Sequence, residues 1–407
     1  MIAGNTPVKQ RVRDGRVQAL PHPWSAWLTL SSDPDNTRHA DWKELDRLIW
    51  QELGLPFSDS VFIRSYNIQL PDQVDLHGHP EVLGSHPHDT IHTWGDFMFA
   101  GTRGFDRSDA EAHLRTLEQM NFRPRVWVDH SMFIGNLLHN HKFGGIPEFK
   151  DASGYTYANQ YYTLDLIRKA GVRYFWDGTI TSVLGQDREL SLRQYHLERT
   201  GSGRRGTLDW MKHKVGDTFG LGKAFRDQFQ GNQAYRVHRF LDGSLGYVFP
   251  RYGRWELADI QGLGVLLAPA MMDRLVAQGG ICMAYTHLGK RKAGHENDAE
   301  HVPASTRKSL EHVAGLHRDG KLMLSSLGRL LDYLVLRDHL TIQGAAFTFT
   351  ADGLAFDTVG PHELAGHSFT IKGAVPQGIT VHGTKGAVPH SILRHGDHAF
   401  TLQFPEA

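Results

Sequence analysis

Three short stretches of this chain concentrate side chains that move protons or hold cations. The densest is SHPHDTIHTWGD, which places His86, His88 and His92 within seven positions and closes on Asp96. His88 and His92 are four apart, a spacing that on a helical turn puts both rings on one side and offers two nitrogens to one zinc ion. His86 is then a third ligand or a partner behind the first two, and Asp96 a carboxylate that orients a ligating imidazole. In LTLSSDPDNT, Asp33 and Asp35 follow an apolar run directly, with Pro34 stiffening the turn between them. The plain reading of Asp-Pro-Asp is a turn that caps the next helix. The chemical reading divides the labour: one carboxylate binds a cation while the other is held beside it as a base. In GGICMAYTHLGK a strand delivers His287 to its end, where an imidazole either donates a proton to a leaving group or rests on a backbone carbonyl.

These residues need elements to position them. SAWLTLSS, SVFIRSY, RVWVDHS, VRYFWDG and ICMAYTH read as strands, and ADWKELDRLIWQELG, DRSDAEAHLRTLEQMNF, TLDLIRKAG, LAPAMMDRLVAQGG and SSLGRLLDYLVLRD as helices. Alternation of this kind predicts a mostly parallel α/β sheet or barrel, with functional groups in the loops at the carboxyl ends of the strands. Residues 1–23 form an N-terminal extension and 24–339 the α/β unit. The stretch around 184–256, rich in Gly, Arg and aromatics, reads as an insertion or long loop with two strands near its end, passing over a substrate groove. Residues 340–407 alternate with period two between Gly, Pro and Asp-Gly breaks, which predicts a small antiparallel β domain that packs against the barrel.

Composition narrows the function classes. The chain of 407 residues carries 44 Lys+Arg against 44 Asp+Glu, so no net charge draws it to nucleic acid, and it lacks any recognised nucleic-acid-binding motif. Its longest apolar stretch, LGVLLAPAMM, is far short of the ~20 residues of a membrane helix. One cysteine, Cys282, excludes an intramolecular disulfide. MIAGNTPVKQ has no apolar leader core, and the expectation is a cytoplasmic protein. Trp94, Trp127, Trp176 and Tyr285 adjoin the candidate site residues in sequence and offer faces for sugar rings, Trp94 and Trp127 with His130 being the candidates for substrate contact.

Taken together, the three stretches resemble the polysaccharide deacetylase (NodB-like, carbohydrate esterase) superfamily. The resemblance covers roughly residues 24–339 and implies a deformed (β/α) barrel. It implies Asp33 as base and Asp35 as metal ligand, with His88 and His92 completing the metal site, although Asp89 stands where the family has Ser or Thr. FRPRVWVDHS matches the family's arginine strand and implies that Arg123 or Arg125 braces the base. The late histidine motif maps to His287 as general acid. VDHSMFIGN, with Asp129, His130 and Asn136, has no counterpart in the family pattern, and the expectation is a site-specific addition in which His130 contacts substrate or metal. The implied activity is removal of an N-acetyl or other acyl group from a sugar in a polysaccharide or its precursor, with a divalent metal, most simply Zn2+, activating water. Another amide hydrolase, a glycosidase on the same fold and a non-catalytic sugar-binding protein are the alternatives.

Overall fold

The structure is a computed structural model that describes residues 14–96, 105–129, 136–137, 161–200, 203–218, 232–240, 242–295 and 298–406. Its centre is a curled, nearly all-parallel sheet. In chain order the strands are β1 (Ala26–Ser32), β2 (Asp59–Val61), β3 (His88–His92), β4 (Val126–Val128), β5 (Tyr174–Thr181), β6 (Arg236–Arg239), β7 (Leu245–Tyr252), β8 (Ile281–Thr286) and β9 (Leu322–Leu324). They lie in the order β2-β3-β4-β5-β7-β8-β1-β9, with β6 added antiparallel to β7. The curl brings β2 back toward β1, where the Ser60 hydroxyl donates to the Ser32 carbonyl.

Period-two alternation assigns each strand residue to one of two faces. Trp27, Val126, Val128, Tyr174, Trp176, Phe249 and Met283 join one core. Their neighbours Trp127, Phe175 and Val248 join a second, and Leu28, Cys282 and Ala284 a third, both built with the covering helices. Both faces are therefore buried, which is why the strands read as unbroken apolar runs.

The stretch 184–256 departs from its reading as an insertion. It holds two helices, Leu192–Thr200 and Gly203–Thr218, but then supplies β7, a central strand between β5 and β8. YRVHRFL and LGYVF do form a hairpin, and its second strand is also a rung of the main sheet. Pro250 has no N–H for the ladder, and it falls where β5–β7 pairing breaks between Trp176 and Ile180.

Residues 340–403 form two small sheets. Ala346–Phe349 pairs in parallel with Thr380–Gly383, so this part is mixed rather than purely antiparallel. The Asp352-Gly353 pair, a hairpin signal in sequence, instead makes a turn in which the Asp352 carboxylate accepts from the N–H groups of Leu354, Ala355 and Phe356. These sheets share the first core with the main sheet through the helix Leu327–Asp338, of which nearly every residue is buried. Buried charges on that helix are matched one by one: Asp332 accepts from Tyr174 at 2.8 Å and from Arg125 at 2.8 Å, and Arg337 meets Asp187 and Asp338. Among the described residues no single helix is long and apolar enough to cross a membrane.

Burial lowers the pKa of His86 to about 2, of His113 to about 4 and of His367 to about 3. Each is neutral when folded and takes up a proton on unfolding below its usual value of about 6.5. The stability each contributes is therefore complete above pH ~6.5 and lost as pH falls toward the folded value, by up to about 1.4 kcal/mol per pH unit. His367→Phe is expected to flatten the stability curve between pH 6 and 4 by about that slope relative to wild type, measured by urea unfolding across pH. Parallel curves for the two proteins would overturn the assignment.

Candidate functional site

The carboxyl ends of β1, β3, β7 and β8 meet at one point. The Asp33 N–H donates to the Thr286 carbonyl at 2.9 Å, which extends the β1–β8 ladder by one residue and fixes the start of the loop. Pro34 then turns the chain, Asn36 takes a left-handed backbone (φ 63°), and Asp35 is carried back over Asp33. The following helix, His39–Leu45, has Arg38 at its N-cap and no side-chain cap, so the two aspartates are not capping residues.

Both oxygens of Asp33 are gripped by Arg251 from β7, one of them at 3.1 Å. Arg251 is fully buried, with its guanidinium carbon 3.6 Å from the centre of the Trp176 ring and 4.0 Å from that of Tyr285. The two rings are 23° from parallel and come from β5 and β8, the strands on either side. A planar guanidinium suits both demands, since its edge forks onto the carboxylate while its faces lie on π-systems. Burial alone would raise the pKa of Asp33, but Arg251, His92 and His287 together hold it far below the carboxylate range.

Two imidazoles face the same carboxylates. His92, at the end of β3, sets Nε2 3.5 Å from Asp33 Oδ2 and 3.7 Å from Asp35 Oδ2. Burial disfavours its charged form, yet Asp33 and Asp35 outweigh this and raise its pKa. His287, just past β8, donates from Nδ1 to the Ala258 carbonyl at 2.7 Å, which leaves Nε2 as a lone-pair donor 3.3 Å from Asp35 Oδ2 and 3.7 Å from Asp33 Oδ2. Ligand atoms of Asp33, Asp35 and His287 all lie within 4.8 Å of one another. For comparison, donors about 2.0–2.1 Å from a tetrahedral zinc stand about 3.3–3.4 Å apart. A carboxylate, an imidazole and a second, arginine-held carboxylate make a donor set that can hold a divalent cation. Two more carboxyls lie close by, both kept protonated toward neutral pH by burial: Asp59, raised to about 7, and Asp129, raised to about 6 despite accepting from Asn136 and Leu137 N–H groups.

Several residues singled out in the sequence stand elsewhere. His88 begins β3, and because that segment is extended, four residues span about 13 Å rather than one helical turn. Its nitrogens lie 3.2 Å from the Asp59 carbonyl and 2.9 Å from the Val82 carbonyl, away from the aspartates. His86 stacks on Trp50 at 3.5 Å, and Asp96 accepts from Asn67 and Gln73. Arg123 is exposed at the amino end of β4, opposite the site, and Arg125 pairs with Asp332. The arginine that braces Asp33 is Arg251, and the sequence signal was an apolar strand ending in Pro-Arg, in YVFPRYG. Trp94 and Trp127 are fully buried, packed edge-to-face at 5.2 Å, with Trp94 Nε1 donating to Thr163, so neither offers a face to a ligand. His130 lies outside the described residues. Asp89, where the family has Ser or Thr, accepts from the Gly328 N–H at 2.7 Å at the start of the helix Leu327–Asp338. Glycine is needed there because a Cβ would come within 2.6 Å of that carboxylate.

No family model, no curated protein and no solved structure matches this chain.

Removing one partner of a buried ion pair leaves an uncompensated charge, which costs about 3–5 kcal/mol. With chelator present, Arg251→Met is expected to destabilise by that order in urea unfolding, and Arg251→Met with Asp33→Asn by less than half as much. Additive effects of the two substitutions would mean that the pair is not coupled.

Proposed function

We propose that this protein is a metal-dependent hydrolase that removes an acyl group from an N-acylated sugar, in a fold of the polysaccharide deacetylase type. The observation that supports this most directly is the convergence of a second carboxylate, Asp35, and two imidazoles on the arginine-held Asp33. The order of these residues along the chain agrees with the resemblance, while their roles shift. Asp35 and His287 would hold the ion, with Asp33 at its edge. The carbonyl bond from His287 Nδ1 favours this, because it fixes the tautomer whose Nε2 is a ligand. When bound, a divalent cation such as Zn2+ lowers the pKa of water toward ~7 and polarises the acyl carbonyl.

The protein's own groups carry the protons. Asp33, kept ionised by Arg251, accepts a proton from the water that attacks the acyl carbon. His92 Nε2, 3.5 Å from the same carboxylate, hands a proton to the departing sugar amine as the C–N bond breaks. The products are the free carboxylic acid and the amino sugar. Arg251 itself reacts with nothing; it fixes the carboxylate's direction and charge.

Elemental analysis and acetate release from N-acetylated oligosaccharides test this together. About one ion per chain is expected, lost in Asp35→Ala and His287→Ala and kept in His92→Gln. Acetate release is expected in wild type and to fall by ~10²–10⁴ in Asp33→Asn and His92→Gln. A wild-type protein that takes up no zinc, cobalt or nickel would sink the reading.

A further inference from the structure

Beside the reacting centre lies a cavity of about 550 Å³, at the carboxyl ends of β5 and β7, whose lining includes Trp255, Arg199, Arg236 and Arg254. Its size is that of a small-molecule or oligosaccharide subsite. Two features set it apart from the rest of the surface.

The first is Trp255, a large apolar side chain left 54% exposed. It is not a stray surface residue. Its ring stands edge-on to Tyr285 at 5.5 Å and lies 6.4 Å from Trp176, the two rings that clamp Arg251. Tyr285 in turn lies 5.4 Å from the His287 ring. A continuous aromatic wall thus runs from the cavity to the candidate catalytic groups. A ligand stacked on Trp255 would be one ring system away from Asp33 and Asp35.

The second is charge. Arg199 comes from the helix Leu192–Thr200, Arg236 from β6 and Arg254 from the loop after β7, and all three line the cavity. Among the described lining residues the one carboxylate is Glu256. Arg199 and Arg254 against Glu256 give the described lining more basic than acidic groups, on a chain whose net charge is zero. Guanidinium forks match carboxylate and sulfate oxygens in geometry as well as sign. Ser182 and Gln233 add uncharged polar groups of the kind that meets sugar hydroxyls, whereas Gln186 is buried with its amide bonded to Pro250 and Met283.

We propose that this cavity is a subsite for an anionic sugar, so that the substrate is an acidic glycan. One sugar of the chain stacks on Trp255 with its carboxylate or sulfate between Arg199 and Arg254, and the neighbouring N-acyl sugar reaches Asp33 and Asp35. This rests on the hydrolase reading above for what happens at the second sugar, but the binding itself does not require turnover.

Calorimetric titration of the full chain tests it with tetrasaccharides. Hyaluronan carries carboxylates, chondroitin sulfate carries both anions, and N-acetylchitotetraose carries none. At low salt, at least tenfold tighter binding of the acidic tetrasaccharides is expected, with that preference shrinking toward unity in 0.5 M NaCl. Arg199→Ala with Arg254→Ala is expected to weaken acidic ligands tenfold or more and the neutral one less than threefold, while Trp255→Ala weakens all three. Equal affinity for neutral and acidic ligands, or arginine variants that weaken both alike, overturns the proposal. Selective binding without acetate release would leave the subsite standing and remove the hydrolase. Acetate release from the neutral oligomer without acidic preference would do the reverse.

Discussion

The pairing of Asp33 with Arg251 is the constraint around which the carboxyl end of the sheet is organised. Two opposite charges taken out of water are tolerated only when geometry and hydrogen bonding are both satisfied. Here that requires four strands in fixed register. β1 and β8 pair from Trp27↔Ile281 to Ser32↔Thr286, which sets Asp33. β5 and β7 pair through Trp176↔Phe249, lose register opposite Pro250, and resume at Ile180↔Arg251. That break sets where Arg251 emerges between Trp176 and Tyr285. A slip of one residue in either pairing would turn the charged side chain to the opposite face, among the covering helices. The electrostatics of the centre and the register of the sheet are one requirement seen from two sides.

From this pair the other features of the centre follow. An aspartate held ionised in a dry place is a strong hydrogen-bond acceptor, and its charge favours the protonated form of the imidazole beside it, as at His92. Burial above all, with the Asp33 charge adding to it, keeps Asp59 protonated up to about 7. The result is a centre with one committed negative charge in Asp33, a second carboxylate in Asp35, and two histidines, of which His287 is tied to the Ala258 carbonyl. Division of labour between chemically similar groups is achieved by environment rather than by residue type.

What could be read from the sequence was whatever depends on short-range pattern. Apolar runs followed at once by Asp33 or His287 marked strand ends, and the alternation of strands and helices marked a parallel α/β sheet. The unread parts depend on information that is not local. A histidine spacing of four serves a helix and a strand equally, and only the extended form of β3 separates His88 from His92. Trp94 and Trp127 were candidates because they neighbour site residues in sequence. Along an extended chain, however, adjacent side chains face opposite ways, and Trp127 points into the second core. Arg251 was concealed because its strand is introduced by a hairpin, so YRVHRFL and LGYVF looked like a self-contained excursion. The parallel pairing of Ala346–Phe349 with Thr380–Gly383 was likewise invisible, since the intervening residues hold a turn signal that serves another purpose.

The helix Leu327–Asp338 and the sheets after it occupy a position with consequences for how the chain reaches this structure. One face of the main sheet is finished largely by residues 327–404, and Val17 bridges to Ile371. During synthesis the strands of the main sheet therefore emerge long before the surface that covers them. Until then Trp27, Tyr174, Phe249 and their neighbours have only one another and water. Contacts of such long sequence separation form late and slowly, because loop closure must precede any gain from burial. The nascent protein thus passes through a stage in which a broad apolar face is open, the condition under which chains are captured by chaperones or by one another. Completion of the last strands is the event that ends this exposure.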